Sequence, residues 1–232
     1  MNWIANHPLY LLLMLGTVLS AGWLIINRTR LRIRIWGAVL LAVLHTLVGV
    51  VFVKVFAFLE GADSGATSLF GGVFFMPLLY LLGAKVFRRN AAIVCDVFTP
   101  CMIVTLMCAR VNCILSGCCT GKEISFITSK TLCWPTRELE ILFYIVLLTV
   151  IIPGSLPSYS QKRSTQRFSV GILYPLYMAA YGVFRFVIEF FRTSGSLGIF
   201  HIAHLWAMLS LCIGFAVCGE IKGKSKKEMG KK

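Results

Sequence analysis

The sequence predicts an all-α polytopic membrane protein of about seven transmembrane helices, with an outward N-terminus and a cytoplasmic C-terminus. Three observations lead to this prediction. Of the 232 residues, 58% are hydrophobic and only 14% are charged, whereas soluble domains are roughly half apolar and about one quarter charged. Apolar stretches of the length that crosses a bilayer recur along the whole chain. Lysine and arginine collect in alternate connections between those stretches.

The apolar stretches define the spans in chain order. They occupy residues 8–26, 35–58, 68–87, 92–109, 139–153, 171–191 and 200–218. The fifth is short for a crossing, which takes about 20 residues, and it reaches that length if it begins near Glu138 or ends near Leu156. The first has no basic segment ahead of it and no small-residue cleavage site, so we interpret it as a span and not as a signal peptide. Residues 1–219 thus form a single transmembrane domain, and residues 220–232 form a basic tail.

The distribution of positive charge sets the orientation. The net charge of +14 would suggest a nucleic-acid partner in a soluble protein, but here sixteen of the 23 lysines and arginines lie in four segments. These residues are Arg28, Arg30, Arg32, Arg34, Lys85, Arg88, Arg89, Lys162, Arg163, Arg167 and the six lysines from Lys222 to Lys232. The positive-inside rule places all four segments in the cytoplasm. We therefore expect membrane lipids as partners and no nucleic acid; the tail either contacts anionic lipid or is simply solvated.

The longest outward connection, residues 110–138, is the first candidate for a functional site. A connection of this length is more often functional than a plain linker. Arg110 lies at the outer end of span four, and an ionisable group at membrane depth is costly enough to indicate function. Gly117 and Gly121 form a small-x-x-x-small pair, which permits close approach either of a ligand headgroup or of another helix.

The sixth span carries a stripe of charge. Gly182, Arg185, Glu189 and Arg192 lie at i, i+3, i+7 and i+10, on one face of a helix. Arg185 is then about 10 Å deeper than Arg192, at roughly 1.5 Å per residue. One interpretation is an Arg185–Glu189 ion pair that locks neighbouring helices together. The interpretation we favour is an anionic ligand, because two arginines surround one carboxylate and arginine binds lipid phosphate through two hydrogen bonds.

Cysteine and histidine supply the remaining candidates. Four of the nine cysteines fall in the outward connection, where disulfides can form in an oxidising compartment. They are Cys113, Cys118, Cys119 and Cys133. No C-x-x-C spacing occurs, so we expect no metal site. His201 and His204 begin span seven, within reach of Arg192, either for proton transfer or as interfacial residues without catalytic duty.

Four motifs, in chain order, resemble the bacterial phosphatidylglycerol–prolipoprotein diacylglyceryl transferase family. The segment from Ser68 to Val73 resembles S-x-H-G-G-x, and the segment from Arg110 to Gly121 resembles G-R-I-G-N-F-x-N-G-E-x-x-G. The segment from Trp134 to Glu140 resembles H-P-T-Q-L-Y-E. The segment from Tyr181 to Arg192 matches Y-G-x-x-R-F-x-x-E-F-F-R almost letter for letter.

The resemblance implies a multi-pass enzyme of the bacterial cytoplasmic (inner) membrane, with seven spans and an active side that faces outward. Its reaction moves the diacylglyceryl group of phosphatidylglycerol to the lipobox cysteine thiol of a preprolipoprotein, and it needs no cofactor. The implied phosphatidylglycerol-binding residues are Arg110, Arg185, Arg192, Gly71, Gly72, Gly117 and Gly121. The resemblance implies Arg185 and Glu189 as catalytic residues, and His201 and His204 are further catalytic candidates by their position at the start of span seven. Glu140, Cys113 and Cys118 are expected to support the site.

The chain also departs from the family pattern. Phe70 stands where the motif has histidine, so the expected group for thiol activation is missing. Cys113 and Cys118 replace the asparagine and the glutamate of the signature. One hypothesis is a transferase that uses another base, and Glu189, His201 and His204 are the candidates for that base by their position. The alternative is a diverged relative that binds anionic phospholipid with a different acceptor or without catalysis. The motif series argues against an unrelated transporter.

Overall fold

Helices account for most of the structure. The computed structural model describes residues 8–61, 67–125, 131–155, 169–192 and 201–229. Within those ranges seven helices have 17 residues or more, and one is a single turn. They are α1 (Pro8–Ile26), the short α2 (Arg28–Leu31), α3 (Ile35–Leu59), α4 (Phe70–Val86), α5 (Ala91–Leu115), α6 (Thr136–Ser155), α7 (Leu173–Glu189) and α8 (Ile202–Met229). Two short strands, β1 (Glu123–Ser125) and β2 (Thr131–Cys133), pair as a small antiparallel hairpin.

The seven long helices lie at the seven predicted positions. By length and composition α1, α3, α5 and α8 can each cross a membrane, and α4 is a shorter apolar helix. Large apolar side chains project outward from the bundle, among them Val18, Trp36 and Phe58, which are 67%, 83% and 76% exposed. Apolar exposure on this scale is unusual for a soluble monomer. It is consistent with a multi-pass membrane protein whose outer helices face lipid.

Three boundaries differ from the sequence prediction. The fourth predicted span ended at residue 109, but α5 continues to Leu115 because Arg110 is paired inside the bundle and does not mark its edge. The connection predicted at 110–138 is correspondingly shorter, because it runs only from the end of α5 at Leu115 to the start of α6 at Thr136. We call it the signature loop, and it contains the hairpin that an all-α prediction omits. The predicted separate tail at 220–232 is helical through Met229, because its lysines and glutamates are good helix formers. Lys162, Arg163 and Arg167 lie outside the described residues.

Close backbone contacts hold the last two helices together. A Cβ atom on Gly182 of α7 would lie 2.6 Å from Leu211 N and 2.7 Å from Ala207 O of α8. Gly214 of α8 makes the reciprocal approach, 2.5 Å from Ala179 N. Small residues at helix contacts let backbones approach, which is a main source of association between helices in lipid. The charged stripe of α7 is thereby fixed against α8.

A buried carboxylate attaches the start of α7 to α5. Asp96 accepts hydrogen bonds from Gly171 N at 2.6 Å and from Leu173 N at 3.0 Å, and it is 3% exposed. Backbone N–H groups at a helix N-terminus need acceptors, and a negative charge there also interacts favourably with the helix dipole. Asp96 therefore sets the position of α7 relative to the centre of the bundle.

Candidate active site

Glu140, near the start of α6, lies at the centre of a buried charge cluster. One of its carboxylate oxygens pairs with Nε of Arg110 on α5, and the other accepts a hydrogen bond from Nη1 of Arg185 on α7. All three side chains are at most 7% exposed. One carboxylate thus links three helices. Sequence reasoning gave Glu140 only a supporting role, whereas the structure places it between the two deepest arginines.

Glu189 extends the cluster toward the end of α7. Its Oε2 lies 3.0 Å from Nη2 of Arg185 and 3.7 Å from Nη1 of Arg192. The predicted stripe is therefore a set of close ion pairs, although α7 ends at Glu189 and Arg192 lies beyond the helix. Together with Arg110 and Glu140, the cluster has three guanidinium groups and two carboxylates, which leaves one positive charge in excess.

Arg192 carries the least compensated charge of the three arginines. It is also the most exposed, at 16% of its side chain, against 6% and 7% for the other two. Burial lowers the pKa of the Arg192 guanidinium, and the neighbouring charges of Arg185 and Arg110 lower it further. A bound anion would oppose all three effects. The excess charge therefore lies at the most exposed end of the cluster.

Three tyrosines surround the ion pairs and were not singled out from the sequence. The hydroxyl groups of Tyr144, Tyr177 and Tyr181 are buried, without a hydrogen-bond partner among the described residues. Buried hydroxyls are usually paired, so donors of this kind require an explanation. Their spacing was the available signal: Tyr144 is four residues after Glu140, and Tyr177 and Tyr181 precede Arg185 at intervals of four.

The signature loop is attached to the end of α7 through its backbone. Gly121 forms an isolated antiparallel bridge with Arg192, and Lys122 N donates to Phe191 O at 2.8 Å. A Cβ atom on Gly121 would collide with the carbonyl oxygen of Trp134 and lie 3.0 Å from Phe191 O. Glycine is thus required here by close packing. Gly117 differs, since nothing lies within 4 Å of its Cβ position and its φ of +67° turns the chain after α5.

The residue that replaces the motif histidine stands beside the cluster. The ring of Phe70 lies 5.6 Å from Cζ of Arg185 and 5.7 Å from the ring of Tyr181. This is cation–π distance, and the ring can neither accept nor donate a proton. Gly71 and Gly72 are buried in α4, where Gly71 packs against the backbone of Phe52 on α3. Gly71 and Gly72 were expected to bind phosphate. Their packing and burial do not place the two glycines beside the ion pairs.

The two histidines lie at the start of α8. Nδ1 of His204 accepts a hydrogen bond from His201 N at 3.0 Å, and the His204 ring packs 4.6 Å from that of Phe190. With Nδ1 as acceptor, the neutral imidazole carries its proton on Nε2. The Nδ1 lone pair that proton abstraction would need is therefore already used in capping α8. This geometry weighs against His204 as a general base.

Three cysteines converge next to Arg110. The Sγ atoms of Cys113, Cys118 and Cys119 lie within 4.8 Å of one another, and Arg110 Nη1 is 4.0 Å from Cys113 Sγ. A hydrogen bond from Cys113 lowers the pKa of Cys119, and the charges of Arg192 and Arg110 act in the same direction against burial. All nine cysteines of the chain are free thiols, so the structure contains none of the disulfides considered from the sequence.

Fold and site together define a multi-pass membrane protein with a buried guanidinium–carboxylate site at one end of its helical bundle. The family model for prolipoprotein diacylglyceryl transferase matches residues 10–219. The chain belongs to this family.

A curated relative is similar to part of the chain. It is phosphatidylglycerol–prolipoprotein diacylglyceryl transferase 2 of Clostridium perfringens (strain 13 / Type A), with 25% identity over 151 residues. The match covers 62% of this chain and 58% of the relative. The matched part of the chain therefore spans less than two thirds of the relative's own length.

Proposed function

We propose that this protein transfers the diacylglyceryl group of phosphatidylglycerol to the lipobox cysteine of a preprolipoprotein. The observation that carries the proposal is the buried Glu140 carboxylate between Arg110 and Arg185, with the excess charge of the cluster at Arg192. An arrangement with surplus positive charge in a low dielectric suits the phosphate of an anionic lipid. The family match and the name of the relative support the same reaction class.

The reaction needs two things from the site. The acceptor thiolate attacks the glycerol carbon that carries the phosphate ester, the carbon–oxygen bond breaks, and glycerol phosphate leaves. Negative charge grows on the leaving phosphate, where Arg110, Arg185 and Arg192 would stabilise it as preorganised donors. Glu140 and Glu189 would hold the guanidinium planes in place, and the buried tyrosine hydroxyls would add further donors.

We further propose that the cluster lies at the outer face of the bacterial cytoplasmic membrane, with the N-terminus outside and seven crossings. The ends of α5 and α7 and the start of α6 meet at the cluster, and His204 at the start of α8 packs against Phe190 next to it. The arginine-rich connections after α1 and α4 belong to the opposite end of these helices. The positive-inside rule supports a cytoplasmic location for those connections.

A second candidate function rests on Phe70. Because this ring stands against Arg185 in place of a titratable side chain, the protein would bind anionic phospholipid with another acceptor or without catalysis. The two functions differ in one product, the thioether between the lipid and the lipoprotein cysteine.

Complementation separates the two functions. A bacterial strain depleted of its own transferase would express this chain with a reporter preprolipoprotein, and mass spectrometry would score attachment of diacylglycerol. Attachment by the wild-type chain, lost in Arg185→Ala, is the expected result. Absence of attachment with full expression and retained phosphatidylglycerol binding would overturn the transferase proposal and support the second candidate. The variant Phe70→His then tests whether a base alone restores transfer.

A further inference from the structure

We propose that Cys113, Cys118 and Cys119 form a binding site for Zn²⁺ whose fourth coordination position accepts the thiol of the acceptor protein. The metal site stands on the geometry of the cysteines, and its use in the reaction rests on the proposed transferase function. The cysteine spacing alone predicts no metal site, because the chain has no C-x-x-C.

The sulfur positions fit a tetrahedral soft cation. A zinc ion with Zn–S bonds of about 2.3 Å separates its sulfurs by about 3.8 Å, and the three Sγ atoms already lie within 4.8 Å of one another. Cys118 and Cys119 are exposed and Cys113 is half-buried, so small side-chain rotations can close the remaining gap. Cys113 lies near the end of α5, and Cys118 and Cys119 lie in the loop that follows it. Because the two loop cysteines are exposed, the fourth position would face the exposed side.

The loop backbone holds the three cysteines in this arrangement without the metal. Left-handed backbone at Gly117 and Cys119, with φ of +67° and +57°, turns the chain back after α5. Cys118 N donates to Cys113 O at 3.1 Å. Arg137 of α6 donates through Nη1 to Cys113 O at 3.4 Å and to Cys118 O at 3.2 Å. The backbone carbonyls of Cys113 and Cys118 are therefore engaged, and the thiol groups remain available as ligands.

The charge of such a site suits its neighbours. Three thiolates and one Zn²⁺ carry a net charge of −1, and Arg110 lies 4.0 Å from Cys113 Sγ through Nη1. Guanidinium groups next to a metal–thiolate site stabilise its negative charge and tune the ligands. The same arginine pairs with Glu140, so the metal would sit directly beside the buried charge cluster.

The metal would supply what Phe70 cannot. A thiol that coordinates Zn²⁺ loses its proton, here to outward water, and becomes a bound thiolate. The new sulfur–carbon bond then forms as the carbon–oxygen bond to phosphate breaks, and the phosphate monoester leaves with the bonding pair. Atoms and electrons balance without an oxidant, a reductant or a protein base.

Metal binding is tested on the reduced full-length protein in detergent, after chelator treatment and removal of the chelator. Titration with Co²⁺ should produce a sulfur-to-cobalt charge-transfer band that saturates at one equivalent per chain, and Zn²⁺ should abolish the band. Cys118→Ser and Cys119→Ser should each weaken Co²⁺ binding by about 100-fold or more, since loss of outer-shell partners alone costs about 10- to 100-fold. Cys133→Ser, an exposed cysteine outside the cluster, is the matched control and should bind like the wild type.

Several results would overturn the site. One is the absence of the band although thiol titration shows that all cysteines are reduced. A second is a loss of Co²⁺ binding in Cys133→Ser equal to that in the cluster variants. A third is a disulfide that re-forms among the three thiols before Co²⁺ binds. Thermal unfolding of each serine variant without metal checks that the loop still folds. Cobalt binding without lipoprotein modification in the complementation assay would leave the site standing and refute the transferase function. Modification that persists at the wild-type rate in Cys118→Ser and Cys119→Ser would refute the catalytic use of the metal.

Discussion

The protein has two arginine-rich regions, one at each end of its helices, and they are built on different principles. At one end, Arg110 and Arg185 are buried and Arg192 is partly buried, and each of the three lies within 4 Å of a glutamate oxygen. At the other end, arginines line a cavity of about 250 Å³ together with Asn90 and apolar side chains. Those arginines are Arg30, Arg32, Arg88 and Arg89, of which the last three are exposed.

The difference shows what burial requires of a positive charge. An ion removed from water costs several kcal/mol unless partners replace its hydration, so the buried arginines depend on the position of every glutamate oxygen. The exposed arginines keep their water, and they contribute mainly the sign of their charge. Arg89, for example, donates to the backbone oxygen of Arg32 at 3.2 Å and is otherwise exposed. The first region should therefore respond to small changes of geometry, and the second only to changes in total charge.

The largest effect is expected at Glu140. Glu140→Gln removes the carboxylate shared by Arg110 and Arg185 and leaves buried positive charge unpaired, which should cost about 3–5 kcal/mol of stability. Thermal unfolding in detergent measures the loss. Glu138→Gln, two residues away and 47% exposed, should change stability by less than about 0.5 kcal/mol. Equal shifts in the two variants would contradict the greater cost expected for the buried carboxylate.

Exchanging arginine for lysine tests geometry at constant charge. Arg185→Lys loses the planar group that contacts Glu140 and Glu189 at once, so phosphatidylglycerol binding should weaken by about 10- to 100-fold. The same exchange at the other end, Arg89→Lys, should leave binding unchanged. Binding is measured with vesicles of phosphatidylglycerol against phosphatidylcholine. If lysine serves as well at position 185 as at 89, the buried arginines act only through charge.

The backbone next to each region gives the third comparison. Gly121→Ala would push a methyl group into Trp134 beside the buried cluster, at a cost of about 1–3 kcal/mol. Gly219→Ala in α8 meets nothing within 4 Å and should be neutral or stabilising by up to about 1 kcal/mol. Unfolding temperatures of the two variants report the difference. A stable Gly121→Ala protein would show that the signature loop can move away from the end of α7 without loss of stability.

The smallest effect is expected in the exposed region. Arg89→Gln should change stability by at most about 0.5 kcal/mol, since the site is solvated. One lost charge among many should also leave the membrane orientation intact. Labelling of the exposed Cys133, which lies outside the cysteine cluster, with a membrane-impermeant reagent in whole cells checks the orientation. Loss of labelling in this single variant would show that Arg89 has a specific structural role.

Local pattern predicted the helices and the stripe on α7, because a helix face follows from residue spacing alone. The Arg185–Glu189 contact is of this kind, since the two residues are four apart. The central role of Glu140 was not predictable in this way, because its partners lie 30 residues before it and 45 after it on other helices. Only the motif resemblance indicated that Glu140 belonged to the site at all.

The cysteine cluster and Asp96 show two further limits of sequence reasoning. Cys113 and Cys118 are not spaced as a metal motif, and they meet only because two residues adopt left-handed backbone. Asp96 reads from the sequence as one polar residue in an apolar helix. Its role depends on the start of α7, about 75 residues later in the chain. There the backbone N–H groups donate hydrogen bonds to the Asp96 carboxylate. Contacts of this range follow from the assembled bundle and not from periodicity.

The bridge between Gly121 and Arg192 makes the signature loop and the end of α7 one mechanical unit. The link is main chain to main chain, reinforced by the bond from Lys122 N to Phe191 O. A peptide that displaces the hairpin must either break these backbone hydrogen bonds or move the Arg192 backbone as well. The arrival of a large molecule at the loop would then be transmitted to the ion pairs as a displacement of the backbone, without any relay through side chains.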